Sequence, residues 1–383
     1  MSGSGSGKGC VVCGGRLWRN GKTKAGKTRW RCTGCGASTS RSRPDRAHVA
    51  QFNRFLDWLM GNHRQGEGRE SSPRTLRRQT QWCWRVQPRI IGDGVVHPWV
   101  QLDGFYATGL CCLVIASESG IMGWQWCDRE KQVSWAALIQ QFPAPDAVVC
   151  DGQPGLLAAI RTWWPSTVVQ RCLVHVLRDV RTYLTSNPRT PAGQGLLTIA
   201  KQLSHVTSID QAAQWLISLN TWWQVFGHLT TEKTYRVNVS DHDVPSWARP
   251  TQQWWYTHKR LRSAWRLLHR LARQGDLFRF LELGMSVPPT TNRIEGGVNA
   301  QLRRLLGHHR GMPSAHQQRA IEWWLYLHSQ TPIPPSTLIQ PHHIHPPVKP
   351  PADTPDGPPL YGDGLNAEEG LWTRQGWAGR SLP

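Results

Sequence analysis

The sequence predicts a mixed α/β domain, split by an all-helical insertion and preceded by a small cysteine-bearing head. Three observations carry this expectation. Two Cys-x2-Cys pairs, Cys10/Cys13 and Cys32/Cys35, stand near the start of the chain. Short β-rich runs alternate with helical runs between 97 and 180. From about Arg178 to Met285 the strand signal vanishes, and Leu, Ala and Trp recur at helical spacing, as in AAQWLISLNTWW and RSAWRLLHRLARQ.

The head comes first. The two cysteine pairs are separated by 18 residues, a spacing that fits a tetrahedral four-thiolate zinc site in a ribbon over residues 1–40. All four ligands would be protein thiolates, so this single Zn2+ is structural and supplies folding free energy to a segment too small to bury a core. The intervening WRNGKTKAGKTRWRC is basic and carries two Trp, a phosphate-facing hairpin. Residues 41–92 follow as a small helical, helix-turn-helix-like domain. AHVAQFNRFLDWLMG is amphipathic, and SSPRTLRRQTQWCW opens with a Ser cap and Pro73 before Arg74, Arg77 and Arg78. That second stretch reads as a recognition helix for DNA, or otherwise as a solvated basic helix.

Charge supports a nucleic-acid partner. The 383 residues hold 45 Lys and Arg, 36 of them Arg, against 25 Asp and Glu, for a formal charge of +20. A GC-rich genome would explain Arg over Lys but not the charge. Residues 1–100 contain 19 cations and 5 acids, so +14 of the +20 sits in the head. The longest clean apolar run, Leu110 to Ala116, is far too short to span a bilayer, and MSGSGSGK lacks the apolar stretch of a signal peptide. These features argue against a membrane or secreted protein and place the ten cysteines in a reducing compartment.

In the body, HPWVQLDGFY, GLCCLVIAS and IMGWQWC read as three strands, SWAALIQQF as a helix, DAVVCDG as a strand, LLAAIRTWW as a helix and TVVQRCLVHV as a strand. Asp103 follows WVQL and Asp151 follows AVVC, each trailed by Gly, so both would project from strand ends into a crevice. An Asp-Gly after a strand is also an ordinary turn. Glu295 lies in TTNRIEGG near a helix start, with Thr and Asn available as caps. Two Asp and one Glu meeting at one point would hold two hard divalent cations through oxygen. Residues 331–383, with 12 prolines in 53 positions, read as a Pro-rich disordered tail.

On these residues the chain resembles the bacterial insertion-sequence transposases of the Mutator type, which share a ribonuclease-H-like DDE core. The resemblance rests on VQLDGFY, VVCDGQPGL, the Cys-x2-His of RCLVHV, a long helical insertion, and TNRIEGGVNAQLRRLLGHHRGM, and covers about five-sixths of the chain. It implies a ribonuclease-H-like core at 93–180, an insertion at 181–285 and final core helices with the Glu at 286–330. It also implies Asp103, Asp151 and Glu295 as ligands of two Mg2+ per active site. His175 would lie beside these acids as a catalytic neighbour or phosphate contact, or else be a core histidine. Cys172 and His175 are two ligands short of a zinc site. Arg293, Arg303 and Arg304 would hold DNA strands. The implied activity is metal-dependent cleavage and strand transfer at transposon ends, by a homodimer or higher oligomer on double-stranded DNA in the bacterial cytoplasm, associated with the nucleoid. A catalytically silent, sequence-specific DNA-binding regulator is the alternative; a zinc-ribbon RNA-binding protein would leave Glu295 unexplained. Most Trp of the insertion read as core, and Arg260, Arg262, Arg266, Arg270 and Arg273 lie on adjacent turns where they could track a backbone.

Overall fold

The computed structural model describes Cys10, Cys13 and residues 15–40, 44–61, 72–283, 286–330 and 332–344. The head begins with an antiparallel sheet in the order β1 (Leu17–Lys22), β2 (Thr28–Cys32), β3 (Ser38–Thr39). Leu17 pairs with Cys32, and a bulge between Arg19 and Lys22 leads into a turn closed by Thr23. Helix α1 (Pro44–Met60) follows, then α2 (Pro73–Thr80). The Ser72 hydroxyl accepts from the Thr75 N–H and so caps α2 as its sequence predicts. A 3-10 turn at Gln81–Arg85 then carries Trp82 and Trp84 into an aromatic cluster with Phe52 and Phe55.

The central sheet has five strands: β4 (Trp99–Ala107), β5 (Leu110–Ala116), β6 (Ile121–Cys127), β7 (Ala147–Cys150) and β8 (Val168–Arg171), in the order β6-β5-β4-β7-β8. β4, β5 and β6 form an antiparallel meander, while β7 and β8 run parallel to β4. Strand alternation sorts the two faces. Val100, Leu102, Leu113, Ile115 and Val148 meet α3 (Gln132–Ile139) and α4 (Pro154–Trp163) on one side. Phe105, Cys112 and Val114 meet Ile294, Val298, Leu302 and Ile321 on the other.

From β8 the chain enters α5 (Leu173–Leu184), α6 (Pro191–Gln202) and α7 (Ile209–Phe226), then α8 (Lys259–Gln274) and the short α9 (Arg279–Glu282). These helices share a core of Leu, Ala and Trp. Trp215 and Trp222 are buried there, their indole N–H groups donating to the Ile199 and Ala192 carbonyls, in keeping with the core reading of these residues. Trp247 and Trp254 are exposed, each with a lysine ammonium over its ring. After residues 286–292, a π-helical turn at Arg293–Val298 runs into α10 (Asn299–His308), and α11 (Ser314–Leu327) follows. Gln340–Pro383 forms a separate unit, of which 340–344 are described, with one helical turn at Pro341–Ile344.

Several sequence expectations need correction. Asp103 is not beyond its strand; β4 continues to Ala107 because residues 103–107 pair with 110–114 of β5. TVVQRCLVHV is not one strand: β8 ends at Arg171 and α5 begins at Leu173, with Cys172 as its N-cap. The Cys172 N–H bonds the Cys150 carbonyl and the Leu173 N–H bonds Pro289, so the ladder ends there although the sequence stays β-branched and apolar. The insertion is not wholly helical, since β9 (Lys233–Tyr235) pairs antiparallel with β10 (Trp254–Tyr256). Within 331–383, residues 335–338 form a 3-10 turn and the Tyr326 hydroxyl donates to the Ile333 carbonyl; residues 345–383 lie outside the described part.

Candidate active site and nucleic-acid surfaces

Two parallel strands bring the aspartates together. Leu102 is paired with Cys150 across β4 and β7, so Asp103 and Asp151 each stand one step past the same rung. Their side chains share the parity of Phe105 and Val149, which places both on the sheet face covered by the π-turn and α10. Asp103 is buried; one carboxylate oxygen accepts from the Gly104 N–H at 3.0 Å and the other from the Asn299 amide at 3.1 Å. Burial, with Asp151 and Glu295 nearby, pushes its carboxyl up to about 7 against the pull of His175. The Asp151 carboxylate accepts from the Gln153 N–H at 2.9 Å, which shapes the loop into α4. Gly152 allows that turn, with φ at +77° and the Arg171 guanidinium packed where a Cβ would lie.

Glu295 sits in the π-turn, a rare geometry that often marks functional positions. Its carboxylate bonds Arg178 of α5, and its second oxygen lies 3.7 Å from His175 Nε2. His175 is in the first turn of α5, three residues before Arg178, so both reach the same carboxylate. Burial alone would lower the imidazole, but Cys172 and then Glu295 and Asp103 outweigh it and raise it to about 9. Cys172 Sγ in turn accepts from the Thr291 N–H at 3.2 Å and hydroxyl at 3.3 Å. Thr291 therefore serves the Cys172 contact rather than a side-chain cap, and the turn holding Glu295 is tied to the start of α5.

Sequence reasoning missed Asn299, Arg178 and Glu130. Glu130 lies before α3, and a Cβ on Gly104 would come within 2.7 Å of its carboxylate oxygen. Burial and then Asp151 raise its carboxyl above the ordinary range. No spacing rule links these residues to Asp103; Asn299 is 196 positions away along the chain.

The donor set is all oxygen, as a hard divalent cation requires. Asn299 Oδ1, buried beside Asp103, has no hydrogen-bond partner among the described residues and adds a free oxygen there. Among the described residues the three carboxylates are not gathered as tightly as the four cysteines, and Glu295 is engaged by Arg178 and His175.

At the head, the sulfurs of Cys10, Cys13, Cys32 and Cys35 all lie within 4.8 Å of one another. Cys10 Sγ is 3.6 Å from that of Cys35, and Cys13 Sγ 3.4 Å from that of Cys32. A tetrahedron with about 2.3 Å metal–sulfur bonds needs sulfurs roughly 3.8 Å apart, so the cluster fits zinc. The Cys35 N–H, and after it the Gly34 N–H at 3.3 Å from Cys32 Sγ, outweigh burial and hold that thiol down to about 6.

Arg74, Arg77 and Arg78 are exposed on α2. Arg77 and Arg78 line a cleft of about 680 Å3 with Trp58, Trp84, Arg310 and His316. Arg293, Arg303 and Arg304 are exposed on the π-turn and α10, and Arg303 lies over the Phe105 ring, two residues from Asp103.

The family described as "Transposase, Mutator family" matches residues 115–255, from β5 to β10. Over that stretch the chain is similar to the Mutator-family transposases. The stretch includes Asp151, Cys172 and His175, with Asp103 before it and Glu295 after it. A "probable transposase for insertion sequence element" of Corynebacterium diphtheriae is 32% identical over 81 residues, 20% of this chain and 24% of that protein. The chain thus spans about a quarter of the length of this curated relative. No helix among the described residues is long and apolar enough to cross a membrane.

Proposed function

We propose that this chain is a DDE transposase that binds transposon ends and cuts and joins DNA strands. The observation that carries the reading is the placement of Asp103 and Asp151 one step beyond the same β4–β7 rung, with Glu295 facing them from a π-turn linked through His175. The family match across Asp151 and the Cys172–His175 element supports it. So does the strand order, an antiparallel meander followed by two parallel strands, which is the arrangement of ribonuclease-H-like folds.

Asp103, Asp151 and Glu295 would hold two Mg2+, and one Zn2+ would hold the ribbon. When bound, the Mg2+ ions supply charge to neutralise the scissile phosphate and to acidify the attacking hydroxyl. The residues do the rest. Asn299 and the Gly104 N–H orient Asp103, and Gln153 orients Asp151. His175 and Arg178 fix Glu295 and place positive charge beside the phosphate. Oxygen of water, or of a DNA 3′-hydroxyl, bonds to phosphorus as the P–O bond of the leaving strand breaks. Arg74, Arg77 and Arg78 would contact the end, and Arg293, Arg303 and Arg304 the strands at the acids. Pairing of two ends calls for a dimer or larger assembly. An acid set of this kind disfavours the silent-regulator alternative. Cleavage of a duplex carrying the element's own ends, with and without Mg2+, tests the proposal: Mg2+-dependent nicking at the end is expected, and a purified protein that binds the end without cutting under any divalent metal would overturn it.

A further inference from the structure

We propose that the exposed face of α8 is a second track for a DNA phosphate backbone, running from the Asp151 loop along the insertion. Over Lys259–Gln274 the helix has six cations, no acid, and a buried stripe of Leu261, Ala264, Leu268 and Leu271 that fixes which face is outward. Three of the cations have structural tasks. Lys259 lies over Trp247, Arg260 donates to the Tyr183 and Thr182 carbonyls, and Arg262 donates to the Thr230 carbonyl. The other three, Arg266, Arg270 and Arg273, are exposed and form no ion pair among the described residues. Their spacing of four and then three residues puts them on one face, spanning about 10 Å at roughly 1.5 Å per residue. That is about three nucleotide steps of one strand at roughly 3.4 Å each.

Two cavities make the face continuous with the catalytic loop. One of about 670 Å3 is lined by Arg266, Arg270, Arg273, Trp265 and His269. The other, of about 420 Å3, is lined by Arg161, Arg171 and Gly152, the residue after Asp151. Arg270 and Gln274 border both. Asp276 is the acid among these lining residues, and Arg171, Arg279 and Arg270 offset its charge. A guanidinium row that starts at the acid loop and leads away fits DNA leaving the scissile phosphate, separate from DNA held by α2.

The inference rests on the transposase reading for its placement, but its test reads binding alone. Full-length protein is titrated with a mixed-sequence duplex in metal-free buffer over a range of salt. Replacing Arg266, Arg270 and Arg273 together with Gln should reduce the slope of log K against log[salt] by about 2.7, at about 0.9 per phosphate. Between 50 and 200 mM salt the variant should then lose about 40-fold less affinity than the parent, by the same relation. The triple Arg→Lys variant keeps the charges and should restore most of the slope, which separates phosphate contact from misfolding. Adding Arg74→Gln, Arg77→Gln and Arg78→Gln should reduce the slope further. If those losses do not add, the two sets share phosphates and the separate track is wrong. An unchanged slope in the Arg266/Arg270/Arg273 variant also overturns it. A protein that never cleaves DNA but shows these slopes would refute the catalytic reading and leave the track standing.

Discussion

At the residue scale the site depends on partners that the acids recruit from afar. Asn299 gives Asp103 the amide hydrogen bond that orients one of its oxygens. Asn299→Ala should therefore lower cleavage or Mg2+ affinity about 10- to 100-fold, as loss of a residue orienting a metal ligand typically does. Measured Mg2+ half-saturation and cleavage rate check this, with DNA binding as the unaffected reference; no change in either would exclude Asn299 as a positioning residue. Gly152→Ala should destabilise the protein by about 1–2 kcal/mol from the left-handed backbone alone. The added methyl also meets Arg171, itself buried, so the loop carrying Asp151 must move. Denaturant melting should show the shift, and an alanine variant as stable as the parent would mean the loop does not need this turn. Asp103 and Asp151 were legible in sequence because each sits at an Asp-Gly after a short hydrophobic strand run, WVQL and AVVC. Arg178, Asn299 and Glu130 were not, because folding alone brings them to the acids across 117 residues in one case and 196 in another.

At the scale of elements, local signals were read best where one residue decides the geometry. Ser72 and Pro73 start α2 as their types dictate. The β8–α5 boundary was not legible, since Val occupies both sides and the break comes from backbone bonds to Cys150 and Pro289. The ribbon has short strands and little apolar burial, so its fold should depend on the four cysteines. Cys32→Ser should drop bound zinc from one per chain to none and melt the ribbon, as read by metal analysis and proteolysis of the head; a parent protein without zinc would refute this. Helix α1 and the 3-10 turn at Gln81–Arg85 behave differently, because they pack on α11 and the loop before it. Phe52 meets Trp323 edge-on, Trp84 stacks on His316, and the His309 ring nitrogen bonds the Leu59 carbonyl at 2.8 Å. Burial lowers His309 below its ordinary 6.5, so the unfolded chain binds the proton more readily. That contribution to stability is complete above about pH 6.5 and is lost as pH falls toward the depressed native value. His309→Gln keeps a donor without the titration and should flatten the acid limb of the melting-temperature profile. An identical acid limb in parent and variant would place the proton uptake elsewhere.

Over the whole molecule, charge and chemistry are divided among the parts. The head carries most of the net positive charge, the central sheet carries the acids, and the insertion presents arginines beside them. The mixed core and the helical character of the insertion were visible in hydrophobic period, whereas the β9–β10 hairpin was too short to stand out from its helical surroundings. The central claim is that Asp103, Asp151 and Glu295 act together on DNA. Asp103→Asn, Asp151→Asn and Glu295→Gln retain shape and remove charge, while Asp128→Asn and Glu282→Gln alter exposed acids paired with Lys131 and Arg279. The most direct measurement is strand cleavage of end-bearing DNA in Mg2+ by this panel, with DNA binding recorded in parallel. Each of the three should bind DNA at least as well as the parent and cut none of it, a double substitution should cost little more than a single one, and both controls should cut normally. Cleavage at the parental rate by all three, or loss of cleavage in Glu282→Gln with Glu295→Gln fully active, would contradict the account.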